Sequence, residues 1–445
     1  MEGEKGAYIF FPESFRFYAV STEDAASLRQ YLDGVGPVRK ELEAILKNEE
    51  EKGIAETASV DAETDSLCLY MAHDCNISCT YCYNEGGRSV NPAMMMSPDI
   101  VEAAFRRFFT MAGKDYAASF YGGEPLLNFK TIKKAVEIGD SLERERGITI
   151  SYSMTTNGTI LSDEMEEFIK GRVSSVCISI DGERDTHDLH RKAASGSAYE
   201  KAVQTLKRLH GGKCRVTLRA TVAGDTVSLL RDTVSRLSSL PSDGFSVSPV
   251  NTGSSNPAYI TDEGFDEYVK RFTDLTRRRF REVIDGTGQG FKYTFNIVLN
   301  LLTKRRFIKH CDAGQNPAIA ADGSMYACHG LVGDPGFYMG NVGDEPGHAF
   351  GKLKGTFDGL TVHGIKECKE CWARYLCGGS CYAHAYINTG DLYRAEPRHC
   401  KLFKRNAEVV ITEFLSAMND PAKREGLYKN LKKAVAGRRG NGCGE

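Results

Sequence analysis

The sequence predicts an α/β protein: a partial (β/α)6, TIM-like barrel with a small N-terminal α+β module before it and a cysteine-rich C-terminal region after it. Three observations predict it. From residue 67, six short segments rich in β-branched and aromatic residues alternate with helical patterns, and such alternation builds parallel βαβ units. Glycine-containing turns such as Gly122-Gly123 and Asn157-Gly158 punctuate the strand ends. Three cysteines lie at residues 75–82 and seven more at 311–400, so thiols cluster where the barrel begins and again after it ends.

The elements follow in order. In the module at residues 1–66, segments 7–12 and 16–20 read as hairpin strands, and 22–32 and 38–51 as helices. Ser21 or Thr22 is the N-cap of the first helix, and Gly34 lies near its end. Acidic residues then run to Asp65 as a linker. In the barrel, residues 67–305, the expected strands are 67–72, 117–121, 148–154, 175–180, 216–222 and 245–250. The helices between them are expected at 97–111, 129–146, 163–170, 199–209 and 226–237. Residues 261–309 read as mostly helical. The cysteine-rich domain spans 306–405, and 406–445 holds the end of a helix over 401–418 and a flexible tail from Ala434.

Composition narrows the function classes. A length of 445 residues suggests about three domains. A net charge of −2 gives no general attraction to nucleic acid or an anionic membrane. The basic runs Lys304-Arg305-Arg306 and Arg277-Arg278-Arg279 read as solvated helix faces. No 18-residue apolar stretch exists and the first residues lack a secretory pattern, so a cytoplasmic protein is expected. Cysteines there read as metal ligands or reactive thiols before disulfides. The stretch from Gly347 to Lys352 lacks the spacing and the hydroxyl of a phosphate loop.

The run Cys75-Asn-Ile-Ser-Cys79-Thr-Tyr-Cys82 is the strongest signal. Three thiolates this close can hold one iron–sulfur cluster, and a four-iron cluster wants four ligands, so one iron stays open for chemistry. The loop follows the first barrel strand, and ligands in such folds gather at the C-terminal ends of strands. Gly122-Gly123-Glu124-Pro125 follows the second strand. Its glycines permit close backbone approach and its glutamate accepts from an ammonium group, although alone it reads equally as a strand–helix turn. Thr155-Thr156-Asn157-Gly158 ends the third strand and Ser179-Ile180-Asp181-Gly182 the fourth, both also compatible with ordinary turns. Arg191 offers a bidentate carboxylate clamp or an exposed salt bridge.

These segments together resemble the radical S-adenosylmethionine (SAM) enzymes. The resemblance implies that Cys75, Cys79 and Cys82 hold a [4Fe-4S] cluster whose open iron takes the SAM amino and carboxylate groups. It implies that Gly122, Gly123, Glu124 and Pro125 bind the methionyl ammonium, that Tyr81 lies near the adenine, and that Asn157, Ser179, Asp181 and Arg191 belong to the cofactor pocket. The implied chemistry is reductive cleavage of SAM to a 5′-deoxyadenosyl radical that takes a hydrogen from the substrate. No residue stands out as the catalytic base.

The later cysteines, Cys368-x2-Cys371-x5-Cys377-x3-Cys381 with Cys311, Cys328 and Cys400, resemble the SPASM domain, an extension carrying two auxiliary [4Fe-4S] clusters. A zinc ribbon is the simpler alternative. By the family pattern Cys368, Cys371, Cys377 and Cys400 fill one cluster. Cys311, Cys328 and Cys381 remain for the other, one ligand short, and a substrate thiolate, His310 or Cys443 is available to complete it. Three [4Fe-4S] clusters and SAM are thus the expected cofactors. Trp372, inside the cysteine motif, is expected to pack on a cluster. Cys68, Cys177 and Cys214 read as small buried apolar residues.

Met71-Ala-His-Asp-Cys75 and the stretch from Cys377 to Tyr386 resemble maturases that form thioethers in cysteine-rich ribosomal peptides. The front module loosely resembles a peptide-recognition module. The implied partners are a cysteine-containing precursor peptide and an electron donor such as flavodoxin or ferredoxin, with no nucleic acid and no membrane. Competing readings are an anaerobic sulfatase maturase, which makes formylglycine, and a non-catalytic iron–sulfur electron carrier. The segment Gly122-Gly123-Glu124-Pro125 argues against the last.

Overall fold

The computed structural model describes residues 2–3, 6–35, 37, 39–51, 64–83, 93–287, 292–345 and 347–436. Most of the expected acidic linker, and Cys443 with it residues 437–445, lie outside the described residues.

The chain opens with strands β1 (Glu2–Gly3), β2 (Gly6–Phe11) and β3 (Arg16–Val20) and helices α1 (Thr22–Leu32) and α2 (Lys40–Glu51). Then come β4 (Ser66–Ala72), β5 (Ile77–Cys79), α3 (Pro98–Phe108), β6 (Asp115–Gly122), α4 (Phe129–Arg146), β7 (Thr149–Thr156), α5 (Asp163–Arg172) and β8 (Ser175–Ser179). The series continues through α6 (Arg184–His190), β9 (Arg191–Ala193), α7 (Ala198–Leu209), β10 (Arg215–Val222), α8 (Leu230–Ser239) and β11 (Phe245–Pro249). After α9 (Asp262–Ile284) and α10 (Lys292–Thr303) come β12 (Ala318–Ile319), β13 (Ser324–Tyr326), β14 (Tyr338–Asn341) and α11 (His348–Asp358). Helices α12 (Arg374–Cys377), α13 (Tyr382–Thr389), α14 (Pro397–Met418) and α15 (Pro421–Ala436) complete it.

Two compact units result. One comprises residues 61–271 and 311–359, the other 1–60, 272–310 and 360–439, among the described residues.

The first unit carries the barrel. Its sheet runs β11-β10-β8-β7-β6-β4-β12-β13-β14. The six strands from β11 to β4 pair in parallel, in the order that six successive βα units give. Successive side chains on a strand face opposite ways, and the two faces differ sharply. One set, including Leu67, Leu69, Ala118, Phe120, Met154, Val176, Ile178, Leu218 and Ala220, is apolar and fully buried. The alternate set carries Cys68, Ser119, Ser153, Cys177, Thr217 and Arg219. Side-chain oxygens of Ser97, Ser162 and Ser197 accept from the first-turn amides of α3, α5 and α7, each a cap contributing about 1 kcal/mol. Gly147, at φ 64°, ends α4.

Three features of this unit depart from the sequence reading. The helix expected at 226–237 is a 3₁₀ turn (Gly224–Leu229) followed by α8. Strands β12–β14, from the cysteine-rich region, extend the barrel sheet, with Ala318 opposite Cys68 and Ile319 opposite Leu69. Strands β5 and β9 form a separate antiparallel pair, Ile77 opposite Ala193 and Cys79 opposite Arg191.

In the second unit β1-β2-β3 form an antiparallel sheet, one strand more than expected. Phe10 meets Trp372 edge-on at 6.2 Å, and Arg374 pairs with Glu13. Helix α14 starts at Pro397, earlier than expected, because Glu396 caps it and proline suits the first helical position. Arg281 holds Glu413 through two 2.8 Å bonds. Helix α15 reaches Ala436, so the tail expected from Ala434 begins as helix. No helix among the described residues is long and apolar enough to cross a membrane.

Candidate functional site

The cysteine loop leaves β4 at Ala72 and is fixed from both sides. The Cys75 amide donates to Asp74 Oδ1 at 2.9 Å, and Cys79 is held in the β5–β9 pair. The three thiols of Cys75, Cys79 and Cys82 feel one another electrostatically. Burial pushes Cys75 up to about 11 and Cys79 up to about 12. Such thiols stay protonated until a metal replaces the proton. Three converging sulfurs fit the corner ligands of an iron–sulfur cluster, with no fourth cysteine in this loop.

Gly122, Gly123 and Glu124 leave β6 beside this loop. Gly122 has φ +127°, and a Cβ there would lie 2.4 Å from the Ala72 carbonyl oxygen. The glycine is therefore required by the close approach of two strand ends. Gly123 donates its amide to the same oxygen at 2.9 Å. Glu124 is fully buried and accepts from Leu126 N at 3.1 Å, Thr156 Oγ1 at 2.8 Å and Asn157 N at 2.8 Å. Burial outweighs these bonds and raises its carboxyl to about 7. Two carboxylate oxygens offer about four acceptor sites, so one remains for a ligand. Pro125 opens the following 3₁₀ turn.

Asn157 reaches back to the cysteine loop. Its Nδ2 lies 3.6 Å from Cys75 Sγ and 2.9 Å from Asn76 Oδ1. Ser179 ends β8, nearly buried, and its hydroxyl makes no hydrogen bond to the described residues.

Asp181, Arg191 and Tyr81 form one buried constellation. Arg191 donates to Asp181 through Nε at 2.8 Å and Nη2 at 3.3 Å. Tyr81 donates its hydroxyl to Asp181, and Thr221 N adds a 2.9 Å bond. Burial alone would raise the Asp181 carboxyl, but the Arg191 charge brings it below the usual range. Arg191 also lies 5.5 Å over the Tyr81 ring and 3.9 Å from Cys79 Sγ. The Tyr81 ring is packed with Ala223 and Ala258. Arg191 is thus a buried ion-pair partner that retains one guanidinium nitrogen toward the cluster loop, rather than an exposed salt bridge.

Sequence reasoning missed two groups here. Thr80 and His190 share a 2.8 Å hydrogen bond, and His190 Nε2 meets Asp225 at 3.0 Å. His187 accepts from Asp181 N at 3.2 Å while its Nε2 is buried without a partner. The spacing from His187 to His190 and Arg191 was the available signal. The other group is aromatic: Tyr83 Oη lies 3.0 Å from Tyr121 Oη, and the Tyr121 ring packs on Tyr70 and His329 at 5.4 Å each. Register places Tyr70 opposite Tyr121, a pairing that needs the topology.

In the second unit Cys368, Cys371, Cys377 and Cys400 come together although up to 32 residues separate them. Burial and the neighbouring thiols push Cys368 up to about 12 and Cys400 to about 11, and raise Cys377 strongly. Four sulfurs in one place complete a four-iron cluster's ligand set. Gly378, at φ +74° and packed against Lys309 O, makes the turn after Cys377. Cys377 Sγ also has His399 Nε2 at 3.5 Å, and His310 Nδ1 lies 3.4 Å from the Cys377 carbonyl oxygen. Burial lowers both imidazoles, His399 to about 3. Cys311 and Cys328 belong to the first unit and Cys381 to the second. Trp372 packs against Phe10.

Comparison with known proteins bears on the fold and the family. Residues 69–237 match the model of the Radical SAM superfamily. The chain is 23% identical over 372 residues to the radical SAM cyclopropyl synthase TigE of Paramaledivibacter caminithermalis, covering 80% of this chain and 76% of that protein. It is 25% identical over 328 residues to a cysteine-type anaerobic sulfatase-maturating enzyme of Clostridium novyi, covering 69% and 85%. The structure of native anSMEcpe with bound AdoMet superposes with a TM-score of 0.69 at 20% identity, covering 80% of this chain and 99% of that one. Streptococcus suis SuiB bound to S-adenosylmethionine gives 0.50 at 14%, covering 89% and 96%. The partial barrel, the three-cysteine loop after its first strand and the superfamily match lead to one conclusion: residues 69–237 are a radical SAM domain, and the enzyme chemistry of this chain resides there.

Proposed function

We propose that this enzyme modifies a ribosomally made, cysteine-containing precursor peptide, joining a cysteine sulfur to a carbon of another residue as a thioether. The observation that carries the reading is the second cysteine set. Four sulfurs converge in one place, a complete ligand set for a cluster able to take up the electron that closing such a bond releases.

Bound SAM and the cluster at Cys75, Cys79 and Cys82 supply the one-electron oxidising power that removes a hydrogen atom from the substrate. The chain's own groups orient and shield. The free acceptor site of Glu124 takes the methionyl ammonium, and the unpaired Ser179 hydroxyl donates to the carboxylate. The Asp181–Arg191 pair fixes Tyr81 at the pocket wall and keeps a positive charge near Cys79. Asn157 ties the third strand to the cysteine loop. Making the thioether removes two hydrogens, so a second electron must leave the substrate. An auxiliary cluster at Cys368, Cys371, Cys377 and Cys400 would receive it, and a small reductant protein such as flavodoxin or ferredoxin would start each cycle.

Similarity to sulfatase-maturating enzymes supports a second reading, oxidation of a peptidyl cysteine to formylglycine. Anaerobic co-expression with a cysteine-containing peptide separates the two by mass spectrometry. Loss of two hydrogens with protection of one thiol from alkylation supports the thioether; replacement of sulfur by an aldehyde oxygen supports formylglycine. No reductant-dependent cleavage of SAM would refute both.

A further inference from the structure

The four-cysteine site has more donors around it than a four-iron cluster uses. Cys368, Cys371, Cys377 and Cys400 supply four sulfurs, and the donor atoms of His310 and His399 come within 4.8 Å of one another and of Cys377. Four thiolates fill the four irons, so the imidazoles are surplus as ligands.

We propose that His399 donates a hydrogen bond from Nε2–H to the Cys377 sulfur and thereby raises the reduction potential of the cluster held there. Three features of the site support this. The first is the sulfur's need. As a thiol, Cys377 donates to the Gly379 carbonyl at 2.7 Å. A cluster-bound thiolate has no proton and becomes an acceptor only, so that bond is lost and the sulfur takes donors instead, the Gly379 backbone on one side and the His399 ring on the other. The second is supply. The Cys377 sulfur, at 3.5 Å, is the sole hydrogen-bond partner of the His399 ring among the described residues. The third is rigidity. His399 precedes Cys400 on the first turn of α14, where the Glu396 carboxylate caps its amide. Its ring lies between Phe403, near-parallel at 6.0 Å, and His310, edge-on at 5.3 Å. His310 is itself tied to the Cys377 carbonyl, so the donor cannot swing away cheaply.

The direction of the effect follows from charge. Reduction adds an electron that is shared onto the sulfurs, and an N–H aimed at a sulfur stabilises the more negative state. A cluster that is easier to reduce is a better acceptor of the one electron released when the thioether closes. His399 is thus a positioning residue acting through Cys377. The inference rests on the cluster reading above.

The test uses anaerobically reconstituted full-length protein: iron and sulfide content, then a redox titration followed by electron paramagnetic resonance. His399→Phe keeps the stacking and removes the donor, whereas His399→Gln retains an N–H. The expected result is unchanged iron content in both, a downward shift of one cluster's midpoint in His399→Phe, and its recovery towards wild type in His399→Gln. Equal midpoints in wild type and His399→Phe would overturn the proposal. So would equal shifts in both variants, which would mean lost packing, or loss of about four irons from His399→Phe, which would make the histidine a ligand. A separate control, Cys371→Ala, addresses the premise: no loss of iron there refutes the cluster reading itself, whatever His399 does.

Discussion

Single residues at the cofactor pocket carry constraints that their types alone do not show. Gly122 sits where any side chain would strike the Ala72 carbonyl. Gly122→Ala should therefore cost more than about 2 kcal/mol, visible as a lower urea midpoint or loss of soluble protein. Asp181 is a buried acceptor shared by Arg191, Tyr81 and Thr221. Asp181→Asn leaves the Arg191 cation without its counter-charge and should cost roughly 3–5 kcal/mol, read by the same unfolding experiment. Glu124 adds a pH signature. Its native carboxyl titrates near 7, above the ordinary 4.5, so between those values the folded protein holds a proton that the unfolded chain releases. Its contribution is complete below about 4.5 and is lost as pH rises through about 7, a fall of roughly 3 kcal/mol. Glu124→Gln should lack that fall. Parallel pH curves for the two proteins would show that the carboxyl titrates normally. These roles were partly legible: Gly122, Glu124 and Asp181 stood out in the sequence as turn or ligand residues, but partners such as Thr156, Thr221, Ala72 and Tyr81 lie 32 to 100 residues away and are invisible to local pattern.

At the level of elements, the cysteine loop is held by pieces too short to announce themselves. Strands β5 and β9 have three residues each, below the length at which alternation can be recognised. Their pairing brings Arg191 beside Cys79, and the chain Thr80–His190–Asp225 braces the same loop from behind. Thr80→Val removes the first link at nearly constant volume. It should cost about 1 kcal/mol and lower the iron retained at the three-cysteine site during dilution, measured by iron content after gel filtration. Full retention with unchanged stability would mean that the β5–β9 pairing alone holds the loop. The long elements behave differently. The strands and helices of the barrel were readable because each has an apolar face with its own period, and α4 lies where its periodicity put it, at Phe129–Arg146. Strands β12–β14 were missed because two to four residues carry no period, and only their pairing, β12 on β4, β13 on β12 and β14 on β13, makes them strands.

For the whole molecule, the two sets of cysteines predict separable metal sites. Replacing Cys75, Cys79 and Cys82 together by alanine should abolish SAM cleavage yet leave the iron bound elsewhere, whereas Cys371→Ala should lose about four irons and keep reductive SAM cleavage. Iron analysis with quantified 5′-deoxyadenosine checks both; simultaneous loss in either variant would mean that the sites fold as one. The sequence by itself determined the α/β barrel, the radical SAM character and the clustering of thiols, because strand and helix periods and closely spaced ligands are local properties of a chain. Only the tertiary structure decided which groups complete each site. It joined Glu124 to Thr156, Arg191 to Asp181 and Cys79, and His399 to Cys377. Those unions depend on which strand ends and helix turns meet in space, and they are selected because a buried charged or polar group left without a partner costs free energy that the union avoids.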